Sequence, residues 1–113
     1  MIDSYSFGRI VIDERRYTAD VIVFPDRVLD NWWRKEGHRL HIDDLKEVLE
    51  AKPDVLIVGT GYYGLVKVPP ETRKHIETRG IRLVIQPTTE ACRTYSRLDK
   101  PGMTIVAALH LTC

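Results

Sequence analysis

The chain has 113 residues, 43% of them hydrophobic and 29% charged. That length suits one domain around a single core, and the composition argues against disorder. A formal net charge of +1 gives no global field that would recruit nucleic acid or an anionic membrane. No apolar run approaches the roughly 20 residues of a spanning helix. The N-terminal MIDSYSFGRIVID lacks a basic region followed by an apolar one, so no secretory signal is expected. Two cysteines, Cys92 and Cys113, without a C-x-x-C pattern, make no disulfide framework. These features predict one domain over residues 1–113, soluble and cytoplasmic, with reduced thiols. Residues 1–50 hold 8 Lys and Arg against 11 Asp and Glu, and residues 51–113 hold 9 against 5, which reads as two solvated faces.

The first forty residues carry a β signature. Tyr5, Phe7, Ile10 and Ile12 alternate with polar positions, and Gly8 marks a bend. After the charged turn at residues 13–16 come Tyr17 and a strand at residues 20–24, stopped by Pro25-Asp26. A further short strand is expected from Arg27 toward Asn31-Trp32-Trp33. Short strands joined by turns predict antiparallel pairing.

The period then changes. Ile42, Leu45, Val48 and Leu49 share a helical face, with Asp43 and Asp44 in the first turn where carboxylates complement the helix dipole. Lys52-Pro53 ends that helix. Residues 55–58 are continuously apolar, as in a strand covered on both faces. Pro69-Pro70 opens a second helix and Gly80 closes it. Ile76 is its only strong apolar residue, which places it at the periphery. Residues 81–85 form the next buried strand. Thr88 is the expected N-cap of a third helix, with Glu90 in its first turn and Ala91, Tyr95 and Leu98 on one face. Residues 104–111 make the last strand. Strands alternating with helices imply crossover units and a largely parallel sheet.

Residues 59–64 read Gly-Thr-Gly-Tyr-Tyr-Gly, a literal G-x-G-x-x-G. In a dinucleotide site the third glycine lies inside the helix whose N-terminus holds the pyrophosphate. Here residues 65–70 separate Gly64 from the first comfortable helical position, and Val66-Lys67-Val68 reads as extended chain. The acidic ribose ligand expected about 20 positions onward is missing, since the next strand ends in Gln86-Pro87. The chain also has room for one mononucleotide half rather than two. No cofactor is therefore expected. Ligands of open α/β sheets nevertheless bind outside the carboxyl ends of strands. Two such ends, Gly59-Thr60-Gly61 and the segment from Gln86 through Thr88, Thr89 and Glu90, are expected to flank a crevice. Its exposed amides would suit a small anion or a partner's carboxylate.

Trp32-Trp33-Arg34 is the second informative cluster. One tryptophan is expected in the core and the other, Trp33, at the crevice or an interface. Arg34 suits bidentate anion recognition or pairing with a structural carboxylate. His38 and His41 point to opposite faces of an extended chain, so no metal site is expected. His110 reads as a hydrogen-bonded core histidine, and nothing near Cys113 argues for an activated thiol. Arg73, Lys74, Arg79, Arg82, Arg93 and Arg97 lack interleaved aromatics and read as solvated surface rather than a nucleic-acid face. No nucleophile, zinc or phosphate-loop motif is present, so no catalytic residue is assigned.

The order and spacing of W-R-x-x-G-H (Trp33, Arg34, Gly37, His38), D-L-K-E-V-L (residues 44–49), L-I-V-G-T-G (56–61), K-V-P (67–69), R-G-I (79–81) and the closing A-A-L-H-L-T-C resemble the Mth938-domain family over nearly the whole chain. The resemblance implies a three-layer α/β fold: a central mixed, largely parallel sheet, flanking helices and an N-terminal antiparallel β layer. One family branch is similar to mitochondrial complex I assembly factors, which act by binding partners, and another is linked to adipocyte differentiation. No catalytic residues carry over, and Tyr62-Tyr63-Gly64 does not match the family pattern. The expected function is a non-enzymatic binding or assembly-type module. Its candidate crevice comprises Trp33, Arg34, Gly59, Thr60, Gly61, Thr88, Thr89 and Glu90, and its partner is a protein or a small anionic ligand. The alternatives are a small-molecule enzyme or anionic-metabolite binder in the same crevice, and a homodimer that buries the tryptophans.

Overall fold

In the computed structural model, which describes residues 1–113, the N-terminal alternation folds as a meander. β1 (Ile2–Ser6), β2 (Arg9–Ile12) and β3 (Arg15–Tyr17) form a three-stranded antiparallel sheet. Its first turn is Phe7-Gly8. Its second is Asp13-Glu14, two non-glycine residues at positive φ, which gives the twist a tight hairpin needs. Arg15 and Arg16, expected in that turn, are already strand residues.

A second sheet runs in the order β5-β4-β8-β6-β7, built from β4 (Val21–Val23), β5 (Val28–Leu29), β6 (Val55–Gly59), β7 (Arg82–Gln86) and β8 (Ile105–Leu109). β6 pairs in parallel with β7 and β8, whereas β4 is antiparallel to both β8 and β5. Only β4 is therefore reversed, and the sheet is mixed and largely parallel. β6 and β8 lie inside it and are buried along their whole length. β7 is only partly buried: it is the edge strand rather than a second core strand, and its exposed Arg82 fits an edge.

Alternate residues of the central strands feed two cores. Val55, Ile57, Ile105, Ala107 and Leu109 pack with Ile10, Ile12 and Tyr17 of the small sheet and with Ala91, Cys92 and Tyr95 of α3 (Thr88–Leu98). Leu56, Val58, Val106 and Ala108 pack on the other face with Leu45, Val48 and Ile76. Those residues belong to a 3-10 turn (Ile42–Leu45), to α1 (Lys46–Ala51) and to α2 (Pro70–Glu77). The α2 crossover steps outward from β6 to β7, and the α3 crossover steps back across β6 to β8. Right-handed connections then put the two helices on opposite faces.

Two local expectations are corrected. The helix read from Ile42 is broken in two: Leu45 sits at φ −111°, ψ 18°, outside the α range. The Asp44 carbonyl accepts the indole N–H of Trp32 at 3.0 Å, and the Asp44 carboxylate accepts the backbone N–H groups of Lys35 and His41. These tertiary bonds outrank continuous α geometry. In α3, Pro87 takes the N-cap position and Thr88 is the first helical residue. The Thr88 hydroxyl caps nothing, because it is engaged between two strand ends.

Candidate functional site

The two predicted strand ends do meet. Gly59 lies opposite Gln86 in the β6–β7 register, and the Thr60 N–H donates to the Gln86 carbonyl at 2.9 Å. The Gly61 N–H donates to Thr88 Oγ1 at 2.9 Å, the Thr88 N–H returns to the Gly61 carbonyl at 3.0 Å, and Thr88 Oγ1 donates to the His110 carbonyl at 2.6 Å. The N–H groups of Tyr62 and Leu65 donate to the carbonyls of Thr112 and Cys113. The amides of the glycine loop expected to face a ligand are thus engaged within the chain, and they knit β6, α3 and the C-terminal tail together. The glycines serve that closure. A Cβ on Gly61, which has φ +109°, would lie 2.4 Å from the Cys113 carbonyl carbon. One on Gly59 would lie 2.8 Å from Leu109 and 2.9 Å from the Thr88 hydroxyl.

Arg34 lies beneath the surface, its side chain 5% exposed. Its Nη1 donates to Asp20 Oδ2 at 2.8 Å and its Nη2 to the Gly37 carbonyl at 2.8 Å. Its guanidinium carbon lies 4.9 Å from the centroid of the Trp32 ring, a cation–π contact that offsets the lack of a hydrogen-bond partner at Nε. Asp20 Oδ2 also lies 2.8 Å from His110 Nδ1, and Oδ1 accepts the Leu111 N–H at 2.8 Å. His110 Nδ1 is 3.0 Å from Arg34 Nη2 as well. A guanidinium has no lone pair and a carboxylate has no hydrogen, so one ring nitrogen cannot bond both. Placing the proton on Nδ1 satisfies Asp20 and leaves Nε2 facing the Thr112 hydroxyl at 3.4 Å. Burial alone would raise the Asp20 pKa, but hydrogen bonds from His110, the Leu111 N–H and Arg34 outweigh it and hold the carboxyl below its ordinary value. Of the two readings open for Arg34, pairing with a structural carboxylate is the one realised.

The remaining predicted residues do not join this cluster. Trp33 is 77% exposed and borders a shallow cavity with Asn31, Lys35 and Asp43. Thr89 faces a groove with Tyr5, Cys92 and Arg93, and Glu90 is exposed in the first turn of α3. His38 stacks edge-on against His110, whereas His41 pairs with Glu36 at 2.7 Å, so the two histidines serve different partners. Burial pushes the Cys92 thiol up to about 12, so at neutral pH it stays protonated.

One surface feature was missed from sequence and a second was read only in part. Phe7, Tyr62 and Tyr63, exposed by 50%, 46% and 68%, form one aromatic cluster. Ring centroids are 5.1 Å apart for the tyrosine pair, and 5.9 and 6.1 Å from Phe7 to each tyrosine; Tyr5 joins at 6.4 Å. The C-terminal tail holds both segments: Gly8 N–H and Tyr5 O–H donate to the Leu111 carbonyl, and Tyr62 N–H donates to that of Thr112. The signal was present, since aromatic residues at loop tips beside glycine are poorly placed for a core. The second is a cavity of about 400 Å³ at the expected strand ends, where Thr60, Gln86 and Pro87 lie, whose other lining residues Tyr63, Lys67 and Arg73 were not placed there from sequence.

Comparison with known proteins agrees with this architecture. A mouse protein described as NADH dehydrogenase [ubiquinone] 1 alpha subcomplex assembly factor 3 is 29% identical over 111 residues, which are 96% of this chain and 58% of the relative. The chain thus spans somewhat over half the length of that protein. A conserved hypothetical protein from Pyrococcus horikoshii superposes with a TM-score of 0.84 at 29% identity, covering 100% of this chain and 99% of that one. A Bordetella pertussis protein described as a Mth938-like domain gives 0.78 at 21% identity, over 98% and 85% of the two chains, a likeness of fold alone. No helix is long and apolar enough to cross a membrane. The family described as protein of unknown function (DUF498/DUF598) matches residues 2–110, and the chain belongs to that family, with its Mth938-like fold.

Proposed function

We infer that the chain is a non-catalytic, assembly-type module that binds a protein partner through the aromatic surface at the carboxyl edge of its central sheet. The observation that carries this reading is the convergence of Phe7, Tyr62 and Tyr63 from two distant segments into one exposed cluster. Exposed large aromatics grouped on a rigid platform are the residues that dominate binding energy at protein interfaces. The likeness to complex I assembly factors supports a partner-binding role. Trp33 and Glu90 are the exposed members of the predicted set, and neither joins the aromatic cluster. Arg34, Gly59, Gly61 and Thr88 act beneath it by fixing the segments that present the rings.

The test compares protein captured from native extract by the wild-type chain and by the variants Phe7→Ser and Tyr62→Ala/Tyr63→Ala, with each captured partner reconstituted in purified form. The expected result is loss of the reconstituted complex in the aromatic variants with little change in melting temperature. A reconstituted complex that survives both variants at unchanged affinity refutes the assignment. Sedimentation of the free chain covers the homodimer alternative: a concentration-dependent dimer abolished by Trp33→Ser would replace this reading.

A further inference from the structure

We propose that the groove outside the carboxyl ends of β6 and β7 binds a small phosphate monoester, whose phosphate is held by Lys67 and Arg73 and whose organic part lies against Tyr63. The site is independent of the partner-docking surface, although Tyr63 borders both.

The topology creates the groove. From the end of β6 the chain leaves toward α2 on one face of the sheet; from the end of β7 it leaves toward α3 on the other. Adjacent parallel strands whose exits diverge leave a crevice beyond their carboxyl ends, the place where open α/β sheets take ligands. The cavity there, about 400 Å³, falls in the size range of small-molecule sites.

Its electrostatics single it out. Four other cavities are also bordered by cations, but each has carboxylates in its lining as well: Asp26 and Asp99 beside Arg27, Asp3 beside Arg93, Asp43 and Asp44 beside Lys35, and Asp43 beside Arg79. No Asp or Glu lines the β6–β7 groove. Neither Lys67 nor Arg73 takes part in any of the ion pairs of the structure. Two cations without internal partners therefore border one cavity, a lysine as a compact charge and an arginine as a planar fork, and together they match the double charge of a phosphate monoester. The Tyr63 ring supplies a flat apolar wall, and Thr60 and Gln86 add polar groups beside it.

The experiment is an amide chemical-shift titration of the full chain with inorganic phosphate, phenyl phosphate and benzoate at constant ionic strength. Saturable shifts are expected at Thr60, Gly64, Lys67, Arg73 and Gln86, with phenyl phosphate binding more tightly than either inorganic phosphate or benzoate. Lys67→Gln and Arg73→Gln should each weaken phenyl phosphate by about tenfold, the scale of one lost charge-assisted hydrogen bond, with the melting temperature unchanged because both side chains are exposed. Non-saturating drift, shifts spread equally over Arg79, Arg93 and Arg97, or undiminished binding by the double variant would overturn the site. Benzoate binding as tightly as phenyl phosphate would overturn the phosphate assignment.

Discussion

Asp20→Asn is the substitution that most directly probes how the chain holds its carboxyl edge. One carboxylate receives Arg34 Nη1, His110 Nδ1 and the Leu111 N–H, each at 2.8 Å. Asparagine keeps an acceptor for Leu111 but turns an amide toward two donors, leaving the buried guanidinium without its counter-charge. Removing one partner of a buried pair costs about 3–5 kcal/mol. The lower end applies, because Asp20 is 17% exposed at its side chain and Arg34 retains the Gly37 carbonyl and the Trp32 ring. For 113 residues the unfolding entropy is about 0.24 kcal/mol/K, so about 3 kcal/mol lowers Tm by about 12 °C. Calorimetry at neutral pH measures the drop, and a fall of less than about 3 °C would refute the reasoning. The pH dependence fixes the sign. The Asp20 pKa is depressed in the folded state, so its stabilisation is complete above the unfolded value near 3.8 and is lost as pH falls through the lower folded value. The gap between wild type and Asp20→Asn should therefore close progressively below about pH 4. A gap that stays constant into acid would show that the charge is not what the variant removes.

Two further predictions concern the closure around Gly61. Thr88→Val keeps the shape but deprives the Gly61 N–H and the His110 carbonyl of their shared hydroxyl, and should cost about 1–3 kcal/mol in urea unfolding. Thr88→Ser should stay close to wild type, and equal effects of the two would dismiss the hydroxyl's role. Gly61→Ala places a methyl against the Cys113 backbone at φ +109°. Beyond the roughly 1 kcal/mol or more expected from backbone strain alone, it should expose the C-terminal tail to carboxypeptidase, and an unchanged digestion rate would contradict the packing.

The features legible in the sequence are those that local physics decides. The continuous apolar run of β6, the Pro69-Pro70 start of α2 and the Ala91–Tyr95–Leu98 face of α3 each follow from period, backbone restriction or burial, and each stands in the structure. The failures share one cause. Asp20 and His110 are separated by 90 positions, and no local pattern says that a carboxylate before β4 will meet a histidine after β8. The Thr88 hydroxyl is a good N-cap by local propensity, but the buried Gly61 N–H and His110 carbonyl form the stronger demand. The break at Leu45 likewise follows from the indole of Trp32, ten or more residues upstream.

The glycine motif shows how such tertiary demands reassign a familiar pattern. In a dinucleotide site the loop amides stay free for a pyrophosphate because a helix begins at once and aims its N-terminus at the same point. Here α2 begins only at Pro70, and the intervening residues run extended, Lys67 bridging to Arg39. The space over Gly61 is filled by Thr112 and Cys113, whose carbonyls take the N–H groups of Tyr62 and Leu65. With the amides engaged, the loop can no longer bind an anion through its backbone. The same closure pins the tip, so Tyr62 and Tyr63 are held outward against Phe7 instead of collapsing onto the sheet. The chain beyond the tip, released from helix formation, brings Lys67 alongside Thr60 and Gln86 at the strand ends. The glycine amides therefore drop out of anion recognition in the groove, which is why Lys67 and Arg73, and not the glycines, are the residues on which the proposed recognition turns.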